Sequence, residues 1–116
     1  MSDESFELIV AYVPDLMDRS KVQAAAGDLV QFVADPKTVV DVVTGQLPMP
    51  ALVLFDLSRD GVIDAIGALR LINPRPKSVG FGSHKDRARL DEAKAVGCDE
   101  VVARSEFFRR LVDLLT

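Results

Sequence analysis

Asp56 is the residue best placed in this chain to do chemistry. It closes the apolar run Met49-Pro50-Ala51-Leu52-Val53-Leu54-Phe55 and is followed by Leu57-Ser58-Arg59-Asp60-Gly61. Such a run fits a strand buried on both faces of a parallel sheet, and the abrupt change of polarity sets the carboxylate at the strand's C-terminal end. Ligands and reacting groups of open α/β sheets collect at those ends. A carboxylate there can accept a phosphoryl group or hold a cation. It can also do neither, and simply terminate the strand by pairing with a base or capping backbone amides.

Other reactive types are sparse. His84 stands in a loop with no serine, cysteine or acidic partner at a spacing that suggests catalysis, so a turn or capping role is expected. Cys98 is the single cysteine, which excludes an internal disulfide and a cysteine-rich zinc site, and its position after Gly97 fits a small core residue. Gly80 and Gly82 do not form a phosphate-cradling loop, because neither glycine-rich fingerprint surrounds them.

The elements that must position Asp56 can be read along the chain. Phe6 to Val13 is a first strand that Pro14 ends, and Asp15 caps a helix running to about Ala26, with Gly27 as its stop. Leu29 to Val33 is a second strand. Asp35-Pro36 opens a helix whose valines, Val39, Val40, Val42 and Val43, are poor helix formers but lie on one stripe up to Gly45. Ala51 to Asp56 is the third strand and Gly61 to Ile72 the next helix, ended by Asn73-Pro74-Arg75-Pro76. Ser78 to Gly82 is a fourth strand, Asp86 to Val96 a charged helix, Glu100 to Ala103 a fifth strand, and Ser105-Glu106 starts a helix to Leu115. Five strands alternating with five helices through short connections predict a doubly wound parallel sheet, a flavodoxin-like (βα)5 fold of α/β class with strand order 2-1-3-4-5.

Composition sets the bounds. At 116 residues, 48% hydrophobic and 28% charged, the chain suits one globular domain over 1–116, with no internal repeat or long linker. A formal charge of −4 and scattered basic residues give no reason to expect nucleic-acid binding. The acidic start Met1-Ser2-Asp3-Glu4-Ser5 is not a signal sequence, no apolar run reaches the ~18 residues of a membrane span, and a cytoplasmic setting is expected.

Laid out in this way, the chain resembles the receiver domain of two-component response regulators over essentially its whole length. Leu52-Val53-Leu54-Phe55-Asp56-Leu57 is similar to the family's third strand, with Asp56 at the phospho-accepting position. Ser83-His84-Lys85-Asp86 is similar to the loop after its fourth strand, and Ala93-Lys94-Ala95-Val96-Gly97-Cys98-Asp99-Glu100-Val101 to its glycine-turn passage into strand five. Arg104 falls where the family keeps an invariant lysine, and the switch Thr or Ser falls on Gly82, or on Ser83 after a one-residue slip.

The departures from that pattern bear on chemistry. The resemblance implies two acidic metal ligands after the first strand, and Tyr12 and Val13 occupy those positions. Phosphoryl transfer to a carboxylate gathers negative oxygens and depends on a metal or cations, and magnesium prefers carboxylate oxygens that these residues lack. Arg104 is followed by Ser105 and not by the family's proline, so a trans bond is expected there. Arg104 is expected either to hold Asp56 in a standing ion pair or to stand exposed at the start of the last helix.

The reading is therefore a degenerate, pseudo-receiver module: not an enzyme, holding no cofactor and no metal, and acting by contact with another signalling protein (a kinase, receptor or effector) or as a self-dimer. In the last helix, Phe107, Phe108, Leu111 and Val112 are the expected interface, since apolar residues cover more than one stripe. The alternative is a working single-domain response regulator, phosphorylated on Asp56 in a metal-dependent phosphorelay, with Asp15 as an irregular Mg2+ ligand. A third reading, a small enzyme or ligand-binding protein on the same sheet, rests on fold analogy alone.

Overall fold

Alternation along the strands decides the architecture. In the computed structural model, which describes residues 7–115, strand β1 (Ile9–Tyr12) is buried at every position. Its odd residues Ile9 and Ala11 belong to one core and its even residues Val10 and Tyr12 to another. Strand β3 (Leu52–Asp56) divides in the same way, Leu52 and Leu54 against Val53 and Phe55. A sheet apolar on both faces needs helices on both faces.

The chain supplies them. Helix α1 (Leu16–Ala26) and the two short terminal helices α5 (Arg104–Arg109) and α6 (Leu111–Leu115) cover one face, through Val22, Phe107 and Leu111. Helices α2 (Val39–Thr44), α3 (Val62–Arg70) and α4 (Arg87–Ala95) cover the other, through Val39, Val43, Ile66, Leu69, Leu90 and Ala93. With β2 (Val30–Phe32), β4 (Lys77–Gly82) and β5 (Glu100–Ala103), the strands form one parallel sheet in the order β2-β1-β3-β4-β5. The α/β class and the flavodoxin-like strand order are those predicted from the sequence.

The local punctuation works as its chemistry dictates. The Asp15 side chain accepts the Asp18 N–H at 3.0 Å and caps α1, and the Asp35 side chain accepts the Lys37 N–H at 2.9 Å. Gly27 (φ 63°) and Gly97 (φ 103°) end α1 and the turn after α4 in the left-handed region that a side chain disfavours.

Most element ends fall within two residues of the sequence reading, and three differences go further. The first strand is shorter than Phe6–Val13, and Phe6 lies outside the described residues. The valine-rich helix opens as a 3-10 turn (Pro36–Thr38) and keeps only six α-helical residues, as β-branched side chains would dictate. The last helix breaks at Arg110, whose ψ of 16° leaves the helical range and whose guanidinium reaches Glu100 at 3.5 Å and Glu106 at 3.6 Å.

Candidate functional site

Asp56 is the last residue of β3, is 3% exposed, and sits at the C-terminal end of the sheet. Its own loop already engages its oxygens. Ser58 donates to Oδ1 twice, from its backbone N–H at 3.0 Å and its hydroxyl at 2.6 Å. On the other side Arg59 Nε lies 3.6 Å from Oδ2. The carboxylate thus caps its own turn and is neutralised by a neighbour three residues along. The Arg59 carbonyl in turn accepts a bond from Arg89 of α4 at 3.4 Å, which ties this loop to that helix.

Arg104 is neither paired with Asp56 nor free. Its guanidinium lies bidentate on the carboxylate of Asp18 in the first turn of α1, with Nη1–Oδ2 at 2.7 Å and a second bond between Nη2 and Oδ1. Asp18 is 1% exposed, so the pair is buried on its acidic side, while about half of the Arg104 side chain meets solvent. The same guanidinium lies over Phe81 and Phe108, 5.9 and 5.1 Å from their ring centres. The bonds to Asp18 hold the Arg104 pKa above its ordinary value, with the charges of Asp56 and Asp15 adding in the same direction. Of the two expectations for Arg104, the ion pair with Asp56 is not formed, and the residue does stand exposed at the start of α5, bonded there to Asp18; a fork that matches one carboxylate bidentately is spent on that acid, and a short-range arginine serves Asp56. The cis peptides of the fold are Leu47–Pro48 and Asn73–Pro74, so the bond after Arg104 is trans.

The metal-pair positions hold no ligands. Val13 is buried in the α1 side of the core and Tyr12 in the opposite core. Burial raises the Tyr12 pKa above its ordinary value, with the charges of Asp56, Asp35 and Asp60 working in the same direction and Arg59 against it. Asp15 is occupied as the α1 cap. Its pKa is lowered, chiefly by the Asp18 N–H that it accepts, with Arg104 and Arg59 contributing. A divalent cation at this strand end needs several converging oxygens. Here Tyr12 and Val13 offer no carboxylate, Asp15 caps a helix and Asp18 belongs to Arg104. Among the described residues, no group of three or more His, Cys, Asp or Glu side chains is placed to bind a metal ion. The donor set does not fit the metal.

The switch positions resolve by register. Gly82 is the last residue of β4, buried, and pairs with Ala103, whereas Ser83 is exposed in the following turn and accepts the Lys85 N–H at 3.2 Å. A Cβ on Gly82 would meet Leu90 Cδ2 at 3.3 Å and Leu57 Cβ at 3.4 Å. His84 is exposed and has no hydrogen-bond or ionic partner among the described residues. Cys98 is buried, its thiol pKa is pushed up by that burial, and Sγ donates to the Glu100 carbonyl at 3.4 Å.

Of the residues proposed for an interface, Phe107 and Leu111 face the core, Phe108 is half-buried and Val112 is 64% exposed. Asp18, Ser58 and Arg59 were not among the residues singled out from the sequence. A signal for Asp18 exists: it stands four residues before Val22, on the inner stripe of α1, where an acid requires a partner.

No protein-family model matches the sequence, and no curated protein aligns with it significantly. Solved structures do match in fold. A response regulator from Hahella chejuensis superposes with a TM-score of 0.76 at 15% identity, covering 94% of this chain and 92% of that one. A response regulator in red light signaling of R. palustris gives a TM-score of 0.73 at 18% identity, covering 93% and 90%. A pilus assembly-related protein of Burkholderia pseudomallei gives 0.73 at 18% identity, covering 95% and 87%. The chain has the receiver-domain fold over nearly its full described length, and its strand-end chemistry departs from a metal-binding one.

Proposed function

We propose that this chain is an atypical, receiver-like signalling module that acts by protein–protein contact and not through aspartyl phosphorylation. The observation that carries this reading is the commitment of Arg104 to Asp18. In the receiver pattern that position supplies a cation to the phospho-accepting carboxylate. Here the cation is tied to α1, and the strand end lacks the oxygens that would recruit a metal in its place. A phosphoryl group arriving at Asp56 would find one arginine in contact with the carboxylate, Arg59 beside Oδ2, and an Oδ1 already held by two Ser58 bonds. The module is one domain over 1–116 that catalyses no reaction, and its setting is the cytoplasm. No helix among the described residues is long and apolar enough to cross a membrane. Its partner is a kinase, receptor or effector of a signalling pathway, or a second copy.

The test is an NMR amide titration with Mg2+ followed by beryllofluoride, which stands in for a phosphoryl group on a carboxylate. The expected spectrum is unchanged at Asp56, Ser83 and Arg104. Shifts centred on Asp56 and spreading to Ser83 and Arg104 would overturn the proposal and establish the metal-dependent phosphorelay reading.

A further inference from the structure

Helices α2 and α3 lie side by side on the face of the sheet opposite the last helix and leave a groove of about 250 Å3 between them. Pro36 and Val40 line one side, Ala65 and Ala68 the other, with Lys37 and Asp64 as its charged residues. A Cβ on Gly61 would meet Pro36 Cγ at 3.2 Å, so the turn before α2 abuts the start of α3. Asp35, Asp41 and Asp60 are the chain neighbours of Pro36, Val40 and Gly61, and all three are exposed, as is Asp64. None of these four carboxylates has an ion-pair partner among the described residues, and neither has Lys37. Asp35 accepts the Lys37 N–H, and Asp41 and Asp64 stand in first helical turns where the helix dipole favours an acid, but neither role brings a full countercharge. The nearest arginine in sequence, Arg59, lies on Asp56. Four carboxylates in or beside the groove thus stand against one ammonium.

We propose that this groove docks a basic amphipathic segment of a partner protein, its apolar side chains between Val40 and Ala68 and its cations on Asp64 and the flanking carboxylates. The inference rests on the protein-contact reading above and names its surface and the partner's chemistry. Charge decides the occupant. A second copy presenting the same groove would bring carboxylates together about a two-fold axis, and a nucleic-acid backbone would be repelled. A bare divalent ion needs oxygens converging on one point, and among the described residues no group of three or more His, Cys, Asp or Glu side chains is so placed. Ala65 is buried and Ala68 exposed on the flank of α3, so an incoming apolar side chain can approach that helix closely. Both helices are anchored on the sheet through Val39, Val43, Ile66 and Leu69, so the two walls are set before anything binds.

The experiment places a photoreactive phenylalanine in turn at Ala68, and at Met17 and Val112 as controls, 73% and 64% exposed on the other face of the sheet, in the full chain expressed in its source cell. Crosslinked peptides are sequenced, and each measurement is repeated with Asp64→Lys and Asp64→Asn, whose fold is checked by amide spectra. The expected result is a crosslink from position 68 to a partner segment of net positive charge with apolar residues every three or four positions. Its yield should fall about fivefold or more with Asp64→Lys and less with Asp64→Asn. An acidic or uncharged segment, a crosslink to a second copy, or a yield unmoved by Asp64→Lys would overturn the proposal. Crosslinks to a protein from Met17 or Val112 alone would overturn the groove and leave the protein-contact reading standing. No crosslink from any position would remove both.

Discussion

Arg104 and Asp18, 86 residues apart in the chain, meet in a bidentate ion pair that joins the start of α5 to the first turn of α1. The pair occupies the corner where the receiver pattern places a cation for phosphoryl chemistry, and it turns that cation from the strand end toward a neighbouring helix. The two members are unequally buried, which makes their removal unequal. Arg104→Ala leaves a carboxylate stranded at 1% exposure and is expected to cost about 2 kcal/mol, toward the low side for a broken buried pair because water reaches the half-exposed guanidinium site. Asp18→Asn keeps an acceptor for the fork and leaves an arginine that can turn to solvent, so about 1 kcal/mol is expected. Urea denaturation of both variants checks the order, and equal losses would contradict the asymmetry.

Gly82 sets a second limit on any return to switching. A hydroxyl-bearing residue there would have to pass Leu90 Cδ2 at 3.3 Å and Leu57 Cβ at 3.4 Å, and Leu57 is fully buried. Gly82→Thr is therefore expected to destabilise by about 1–3 kcal/mol through overpacking, with Gly82→Ala nearer the lower figure. Thermal unfolding reads this as a fall of about 4–8 °C per kcal/mol. A Gly82→Thr variant as stable as the parent would show that the core has slack the geometry does not reveal.

Much of the fold was legible because its signals are local. Asp15, Asp35-Pro36, Gly27 and Gly97 mark helix ends by backbone chemistry that acts within a few residues, and short connections between parallel strands leave few topologies. The site was less legible because its partnerships are not local. The strand end singled out Asp56, the receiver resemblance singled out Arg104, and a pair between them was one of two expectations. The actual acid lies on α1, and only the packing of that helix beside α6 on one face of the sheet brings it within reach. Asp56 instead takes the nearest cation in sequence, Arg59, an (i, i+3) contact that a turn of unknown geometry does not announce. The last helix misled for a related reason: Phe107, Phe108, Leu111 and Val112 look alike as apolar residues, and the break at Arg110 decides which of them the core receives.

The glycine-turn passage has its own acid sensitivity. Asp99 accepts both nitrogens of the Arg75 fork, at 2.8 and 3.0 Å, and the Ser78 N–H at 2.8 Å. Burial works to raise the Asp99 pKa, but the Arg75 bonds and the Ser78 N–H outweigh it and hold the carboxyl below its ordinary value of 3.8. A carboxyl whose pKa is depressed on folding adds stability above its unfolded value, and that stability is lost as pH falls through the folded one. The unfolding midpoint is thus expected to hold from neutral pH to about pH 4 and to drop below it. Asp99→Asn should lower the midpoint at neutral pH and flatten the acid drop. Urea midpoints across that range decide it: an unchanged acid slope in Asp99→Asn would mean that this network does not set the acid response.

Phe107 and Phe108 are adjacent in sequence and should separate sharply under truncation. Phe107 is fully buried and stacks on Phe81 with ring centres 4.3 Å apart and planes at 16°, so Phe107→Ala opens a cavity between α5 and the sheet. About 3–5 kcal/mol is expected, enough to threaten folding of a domain this size. Phe108 meets both rings edge-on, at 5.4 and 4.9 Å, and carries Lys21 and Arg104 over its own face. Being half-buried, it should cost only about 1–2 kcal/mol on truncation, since the cations above it regain water. A measured loss for Phe108→Ala equal to that for Phe107→Ala would mean that the outer ring is core as well. A clear difference would place Phe108 on the outer side of the aromatic cluster, where water reaches it.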